Sequence, residues 1–169
     1  MSAENKDVDK ETLRKKLPIT YDKKTQLPLW RDVRTLTLNY TISVGKIFPF
    51  FEKLAEGKIL AIKCKHCGEL YFPPQVDCPK CRKSEVDWIE LSGEGELETY
   101  TLIKIKPQSF SHYDDYVIAI GRLKEGVRVL AWLRVDDISK IHIGMKIKLV
   151  VSERLPESYL VYEFVPAEE

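Results

Sequence analysis

The sequence predicts a mainly β protein with three parts: an N-terminal helical arm, a small ribbon that holds all four cysteines, and a C-terminal five-stranded barrel. Three observations support this prediction. The cysteines form two C-x-x-C pairs, helix signals precede them, and five short segments of alternating polarity follow Gly93. We therefore divide the chain into residues 1–57 for the arm, 58–92 for the ribbon and 93–169 for the barrel.

Composition limits the classes of function. The chain has 169 residues, with 27 Lys and Arg against 26 Asp and Glu, and 44% of it is apolar. A dedicated nucleic-acid-binding protein is usually strongly basic, so this balance disfavours that class. No apolar run approaches the roughly 18 residues that a membrane helix needs, and the polar start lacks the apolar core of a signal peptide. We expect a cytoplasmic protein with no membrane segment.

The arm begins with three predicted segments. Asp9 can cap a short helix over residues 10–17, which Pro18 ends. Residues 18–35 are irregular, with local strand pairing. Apolar residues at alternate positions then predict an extended stretch, and they are Leu36, Leu38, Tyr40 and Ile42.

The segment "SVGKIFPFFEKLAEGK" predicts an amphipathic helix that begins at residues 46 to 48. Pro49 is tolerated only in the first turn, and Gly57 suits the C-terminal stop. The apolar face comprises Ile47, Phe50, Phe51 and Leu54, widened by Phe48 and Ala55. We expect this face to pack inside the protein, and the alternative is a face that binds a partner.

The two C-x-x-C pairs predict a structural metal site. The predicted ligands are Cys64, Cys67, Cys78 and Cys81. Two such pairs place four thiolates tetrahedrally around Zn²⁺ and leave no open position for catalysis. Gly68 and Pro79 suit the tight turns that point backbone N–H groups at sulfur, and His66 is expected to face solvent. Iron of rubredoxin type uses the same ligands, and disulfides occur in hyperthermophile cytosol, so the spacing leaves both open.

The charges around the cysteines agree with a thiolate cluster. Residues 58–83 contain two acidic side chains, Glu69 and Asp77, and six basic ones: Lys58, Lys63, Lys65, Lys80, Arg82 and Lys83. This excess of positive charge offsets the net negative charge of four thiolates around a divalent ion. Residues 58–63 and 69–75 are the predicted ribbon strands, and Trp88 and Leu91 are expected on the crossing to the barrel.

The predicted barrel strands are 95–106, 116–123, 127–135, 145–151 and 159–165. The "KEG" turn joins the second to the third, and a longer link joins the third to the fourth, which suits a small closed barrel of OB type. In the first strand we expect Leu97, Ile103 and Ile105 on one side, with Tyr100 and Leu102 on the other. Gly93 and Gly95 are expected to permit the coiling of this strand.

The order of these motifs resembles a known family. "FFEKLAEGKILAIKCKHCGELYFPP", then "CPKC", "VDWIELSGEGELETYT" and the barrel are similar to prokaryotic proteins that join a rubredoxin-like zinc ribbon to an OB-fold, over about residues 40–165. The resemblance implies a non-catalytic accessory subunit that bridges thiolase and 3-hydroxy-3-methylglutaryl-CoA synthase, or related acyl-CoA aldolases and hydratases. It also implies a contribution to binding CoA or acyl-CoA.

Six ribbon residues are candidates for contacts with CoA or a partner: Lys63, Lys65, Tyr71, Phe72, Lys80 and Arg82. The two aromatic side chains are expected to be exposed. The alternative is that the cations are solvated surface, or only balance the thiolates.

Two other functions compete with the scaffold. In a single-stranded nucleic-acid binder, Trp132 and Tyr100 would stack on bases beside Lys104, Arg128 and Arg134, yet residues 93–165 carry ten basic against eleven acidic side chains. In an enzyme, the loop "SFSHYDDY" would supply Ser109, Ser111, His112, Asp114 and Asp115. A triad needs neighbours in space rather than in sequence, so we predict no catalytic residues. His142 is expected to face solvent, and Asp136-Asp137 to form a turn or a cap.

Overall fold

The computed structural model describes residues 18–31 and 40–167. The helix predicted over residues 10–17 and Leu36 and Leu38 of the extended stretch lie outside the described residues. By internal contacts the chain divides into two units, Met1–Ile42 and Ser43–Glu169. The division at residues 57 and 92 that the sequence suggests stays a prediction.

In the first unit, strand β1 (Ile19–Tyr21) pairs antiparallel with β2 (Pro28–Trp30), which confirms the predicted local strand pairing. The Asp22 carboxylate stabilises the connecting turn, because it accepts hydrogen bonds from the backbone N–H groups of Lys24 and Thr25. Tyr40 and Ile42 lie in no strand, so this part of the predicted extended stretch forms no sheet.

The second unit begins with a 3-10 turn (Gly45–Ile47) and helix α1 (Phe48–Ala55), which confirms the predicted helix start. The predicted apolar face is only partly covered. Phe50 and Leu54 are buried, whereas Phe48 and Phe51 are 50% and 40% exposed, and Ala55 is exposed too. Phe50 and Leu54 lie one turn apart, so a helix of two turns covers one narrow stripe against its neighbours.

The ribbon is a three-stranded sheet in the order β4 (Leu70–Tyr71), β3 (Leu60–Cys64) and β5 (Val86–Glu90). The prediction of two ribbon strands missed β5, and Trp88 lies opposite Ile62 in this sheet rather than on a crossing. The central strand β3 needs a partner on each edge, because its buried backbone groups must all be paired. Leu91 follows β5 and is buried.

The remaining five strands are β6 (Glu94–Ile103), β7 (Tyr116–Leu123), β8 (Arg128–Leu133), β9 (Lys146–Arg154) and β10 (Tyr159–Pro166). They close into a barrel in the order β10-β8-β7-β6-β9. All neighbours are antiparallel except β8 and β10, whose parallel pairing closes the ring. The predicted mainly β architecture and its five-stranded barrel are confirmed.

The barrel core follows the alternation of the strands, with one exception. Val129, Ile147 and Phe164 are fully buried, as their positions on alternating faces require. In β6 a bulge between Leu97 and Thr99 changes the alternation. Leu97 and Leu102 therefore both reach the core. The prediction that Leu97 shares a face with Ile103 and Ile105 was wrong, and Ile105, beyond the strand, is 95% exposed.

Three aromatic rings join the helix, the ribbon and the barrel. Phe72 follows β4, Phe50 lies in α1 and Tyr162 lies in β10. Their ring centroids are 6.0 Å apart for Phe50–Phe72, 5.0 Å for Phe72–Tyr162 and 6.3 Å for Phe50–Tyr162, with edge-on geometry. Edge-on pairs of this kind stabilise beyond the area that they bury. We call this set the Phe50–Phe72–Tyr162 cluster.

Gly95 provides a test of barrel closure. It lies where β6 pairs with both β7 and β9, and a Cβ here would overlap the backbone carbonyl oxygen of Arg122 and meet the Leu123 side chain. We expect Gly95→Ala to lower the free energy of unfolding by about 1–3 kcal/mol, because the strands must separate to admit it. Gly45→Ala is the matched control, since a Cβ there would meet only the Ser43 hydroxyl oxygen, at an ordinary contact distance of 3.9 Å. Equal chemical-denaturation midpoints for the two variants would contradict this account.

Candidate metal centre

Two similar turns present the four cysteines. In the first, the N–H of Gly68 donates to the Cys64 carbonyl at 2.9 Å, and in the second the N–H of Arg82 donates to the Cys78 carbonyl at 2.8 Å. Gly68 and Arg82 both have left-handed backbone angles, with φ of 72° and 59°. The sequence pointed to Gly68 but not to Arg82, because arginine rarely adopts this conformation.

The same turns direct backbone N–H groups at sulfur. The N–H groups of Cys67 and His66 face the Cys64 sulfur, and those of Cys81 and Lys80 face the Cys78 sulfur. These donors favour thiolate, and they lower the pKa of Cys64 and lower that of Cys78 to about 6. The backbone donors therefore favour the thiolate form at the first sulfur of each pair.

The second sulfurs of the two pairs show the opposite tendency. The Lys83 N–H favours a Cys81 thiolate, but burial and the nearby Cys64 and Cys78 sulfurs outweigh it and raise the pKa of Cys81 to about 12. The pKa of Cys67 is also raised, since burial and neighbouring sulfurs outweigh the N–H of Glu69. Four adjacent anions repel one another, and a bound dication would remove that penalty.

The four sulfur atoms lie within 4.8 Å of one another. The cysteines are free thiols: the Cys64–Cys81 and Cys67–Cys78 sulfurs are each 3.5 Å apart, well beyond the roughly 2.05 Å of a disulfide. A disulfide interpretation is therefore not supported. The cluster fits a tetrahedral metal ion whose four ligands all come from protein.

The two aromatic side chains near the four sulfurs are less exposed than the sequence predicted. Tyr71 and Phe72 are half-buried rather than exposed, because Phe72 packs into the Phe50–Phe72–Tyr162 cluster and Tyr71 turns toward the sulfurs. Burial, with the charges of Cys78, Cys64 and Cys67, raises the pKa of Tyr71 to about 12, so its hydroxyl keeps its proton.

The predicted cations lie on the ribbon surface. Lys63 and Arg82 are exposed. Lys65 pairs with Asp87 at 3.3 Å and Lys80 with Glu69 at 2.8 Å. Lys80 also lies near enough to the sulfurs of Cys67 and Cys78 for their charges to raise its pKa, after the larger effect of Glu69. His66 is exposed, as expected, and lies 3.7 Å from Glu85.

A cavity of about 570 Å³ opens on the barrel beside β7, β8 and the β9–β10 turn. This is the face with which OB-folds often bind nucleic acids. Trp132 is enclosed here by protein: Tyr116 stacks on it at 4.0 Å and the Arg154 guanidinium lies 3.9 Å from its ring centroid. A base would have to displace one of them.

Two of the cations expected to help a nucleic acid bind, Arg128 and Arg134, are also paired. Arg128 lies 2.7 Å from Glu98, and Arg134 lies 2.7 Å from Glu163, the buried carboxylate of the barrel. Tyr100 directs its hydroxyl to the Ile141 carbonyl at 3.4 Å. This geometry disfavours an electrostatic groove for a phosphate backbone.

Several polar side chains of the loop "SFSHYDDY" make hydrogen bonds or ion pairs with other parts of the fold. The Ser111 hydroxyl donates to the Gln108 carbonyl, and Asp115 pairs with Lys106. His112 lies 3.3 Å from Glu157, which also accepts from Tyr113. These contacts fasten the loop to the β9–β10 turn. Nearby, Asp137 caps a 3-10 turn and His142 is exposed, as expected.

Comparisons with known proteins agree with this geometry. Residues 51–87 match the family described as the ChsH2 rubredoxin-like zinc ribbon domain, and residues 88–152 match the ChsH2 C-terminal OB-fold domain. A solved structure described as an Ltp2-ChsH2(DUF35) aldolase matches with a TM-score of 0.62 and 29% identity, over 76% of this chain and 98% of that chain.

Curated relatives extend the likeness. DUF35 domain-containing scaffold proteins of Methanocaldococcus jannaschii and Methanothermobacter thermautotrophicus are 39% and 33% identical, over 54% and 60% of this chain and 66% and 80% of theirs. Benzoylsuccinyl-CoA thiolase subunit BbsA of Thauera aromatica is 30% identical, over 55% of this chain and 70% of BbsA. These matches confirm the resemblance found in the sequence. Across residues 18–31 and 40–167, the structure contains no helix with the length and apolarity to span a membrane.

The cluster predicts a metal-dependent ribbon. We expect Cys78→Ser to reduce the bound metal from roughly one ion per chain to almost none, because the tetrahedral site loses a ligand. Hydrogen exchange should then rise most in β3, β4 and β5, because these strands form the sheet that carries the cysteine turns. His66→Ala, within the first pair, is the control and should retain the metal. Metal retained by Cys78→Ser in elemental analysis would contradict the ligand set.

Proposed function

The chain belongs to the DUF35 family, and on that basis we propose that it is a non-catalytic scaffold subunit for acyl-CoA enzymes. The observation that carries the proposal is the agreement among relatives that share both the ribbon and the barrel. Two are named scaffold proteins, one is named a thiolase subunit, and the matching structure is described as an aldolase.

We propose that the partners are enzymes of thiolase type. More specifically, we propose that the chain bridges a thiolase and a 3-hydroxy-3-methylglutaryl-CoA synthase. The name of BbsA supports the first of these, since it describes a thiolase subunit. The role of this chain is to hold its partners together and to contribute to a CoA or acyl-CoA passage. The proposed contacts in the ribbon remain Lys63, Lys65, Tyr71, Phe72, Lys80 and Arg82. The four cations lie on its surface, whereas Tyr71 and Phe72 are half-buried and would contribute only their solvent-exposed atoms.

A non-catalytic role agrees with the chemistry of the described residues. The four cysteines would enclose a metal ion without leaving a position for substrate. We propose that the ion is zinc and that its role is structural, because four thiolates at this spacing suit it and it brings no redox chemistry. In the "SFSHYDDY" loop, Asp115 pairs with Lys106, His112 lies beside Glu157 and the Ser111 hydroxyl donates to the Gln108 carbonyl.

Helix α1 offers a surface for docking. Phe50 and Leu54 anchor it to the rest of the second unit, while Phe48 and Phe51 present apolar rings to solvent. Exposed aromatic rings on a rigid element often supply much of the energy of a protein interface. We therefore propose that Phe48 and Phe51 contact the thiolase-type partner.

Co-purification tests the scaffold. The tagged chain, isolated from its native lysate, should retain a thiolase-type enzyme that mass spectrometry identifies. A sample that recovers nucleic acid, or no acyl-CoA enzyme, would overturn the proposal. The purified chain alone should neither condense nor cleave acyl-CoA.

Variants of α1 test the docking surface. We expect Phe48→Ser with Phe51→Ser to weaken partner binding by about 2 kcal/mol, roughly thirtyfold in Kd, because two exposed apolar anchors are lost. Leu130→Ser is the control, since Leu130 is a 61% exposed apolar side chain on the barrel. Titration calorimetry with the recovered enzyme measures both. Equal affinities for the two variants would place the interface elsewhere.

A further inference from the structure

A buried hydroxyl points at the sulfur cluster. The Tyr71 oxygen is shielded from solvent, and it has no hydrogen-bond partner among residues 18–31 and 40–167. A buried hydroxyl without a partner is costly, so its position needs an explanation. Tyr71 lies in β4, four residues after Cys67, and Phe72, the next residue in the chain, packs against Tyr162 of the barrel.

Sulfur atoms of the cluster surround this hydroxyl. Those of Cys78, Cys64 and Cys67 all contribute to its raised pKa, and Cys78 is the one that acts on it as a hydrogen-bonding group, although the pair does not meet the geometry of a hydrogen bond. A neutral thiol is a weak acceptor, whereas a metal-bound thiolate is an anion and a strong one. The backbone N–H groups of Cys81 and Lys80 already face the same sulfur. Tyr71 would add a side-chain donor to two main-chain donors.

We propose that Tyr71 is a positioning residue for the metal, whose hydroxyl donates an O–H···S hydrogen bond to the Cys78 thiolate once a metal ion binds. This inference rests on the proposed metal site and goes beyond its four ligands. Groups that hydrogen-bond to ligands orient them and tune metal affinity, and hydrogen bonds to sulfur also set the reduction potential of iron–thiolate centres.

Tyr71→Phe removes the donor and keeps the ring. We expect its zinc Kd, measured by competition with a chromophoric chelator, to rise about tenfold. The metal-free variant should be at least as stable as the metal-free parent, because it no longer buries an unpaired hydroxyl. Tyr162→Phe is the matched control: it removes a phenol oxygen from the neighbouring Phe50–Phe72–Tyr162 cluster, and its zinc Kd should equal that of the parent.

A second measurement separates tuning from packing. Iron loaded in place of zinc should show a more negative reduction potential in Tyr71→Phe than in the parent, because the lost donor no longer stabilises the more negative, reduced cluster. Unchanged zinc Kd and unchanged potential would overturn the proposal, and so would a variant that fails to fold in saturating zinc. A parent protein that binds no metal would instead refute the metal site itself.

Discussion

The mutual repulsion of four neighbouring sulfurs is the constraint on which the ribbon depends. The turns bring the thiols within 4.8 Å of one another and direct backbone N–H groups at them. Neighbouring thiolates repel one another, and the opposite pKa shifts of Cys78 and Cys81 reflect that repulsion. A bound metal ion would offset the repulsion, so we expect the folding of the ribbon to depend on the ion.

Two consecutive residues, Tyr71 and Phe72, connect the metal site of the ribbon to the helix and the barrel. Tyr71 turns toward the sulfurs, and Phe72, next in the chain, enters the cluster with Phe50 and Tyr162. The metal site is therefore connected, over one peptide unit, to the helix and to the barrel. The exposed rings of Phe48 and Phe51 are held on a helix whose anchor, Phe50, belongs to the same cluster. In a scaffold, such a connection keeps a docking surface rigid, which lowers the entropy cost of binding.

The barrel is a closed ring of strands, and the side chains that would bind a nucleic acid on its surface are engaged with other groups of the protein. The parallel pair of β8 and β10 closes the ring. Trp132 is enclosed between Tyr116 and Arg154, and Arg128 and Arg134 are paired with acids. Glu157 joins the "SFSHYDDY" loop to the β9–β10 turn through His112 and Tyr113. Groups that could serve nucleic-acid binding or catalysis instead make ion pairs and hydrogen bonds within the fold, in agreement with the proposed scaffold role.

Local patterns in the sequence determined the four-cysteine cluster, the start of α1 and the five barrel strands, because cysteine spacing, Pro49 and alternating polarity act over a few residues. Features that depend on contacts between residues far apart in the sequence were decided only by the tertiary structure. Strand β5 forms because the buried β3 needs pairing on both edges, and the bulge in β6 moves Leu102 to the core because the strand must follow the curvature of the barrel. Arg82 adopts a left-handed conformation because the second cysteine pair repeats the turn of the first. Tyr71 and Phe72 looked like surface aromatics, and only the meeting of ribbon, helix and barrel turned them inward.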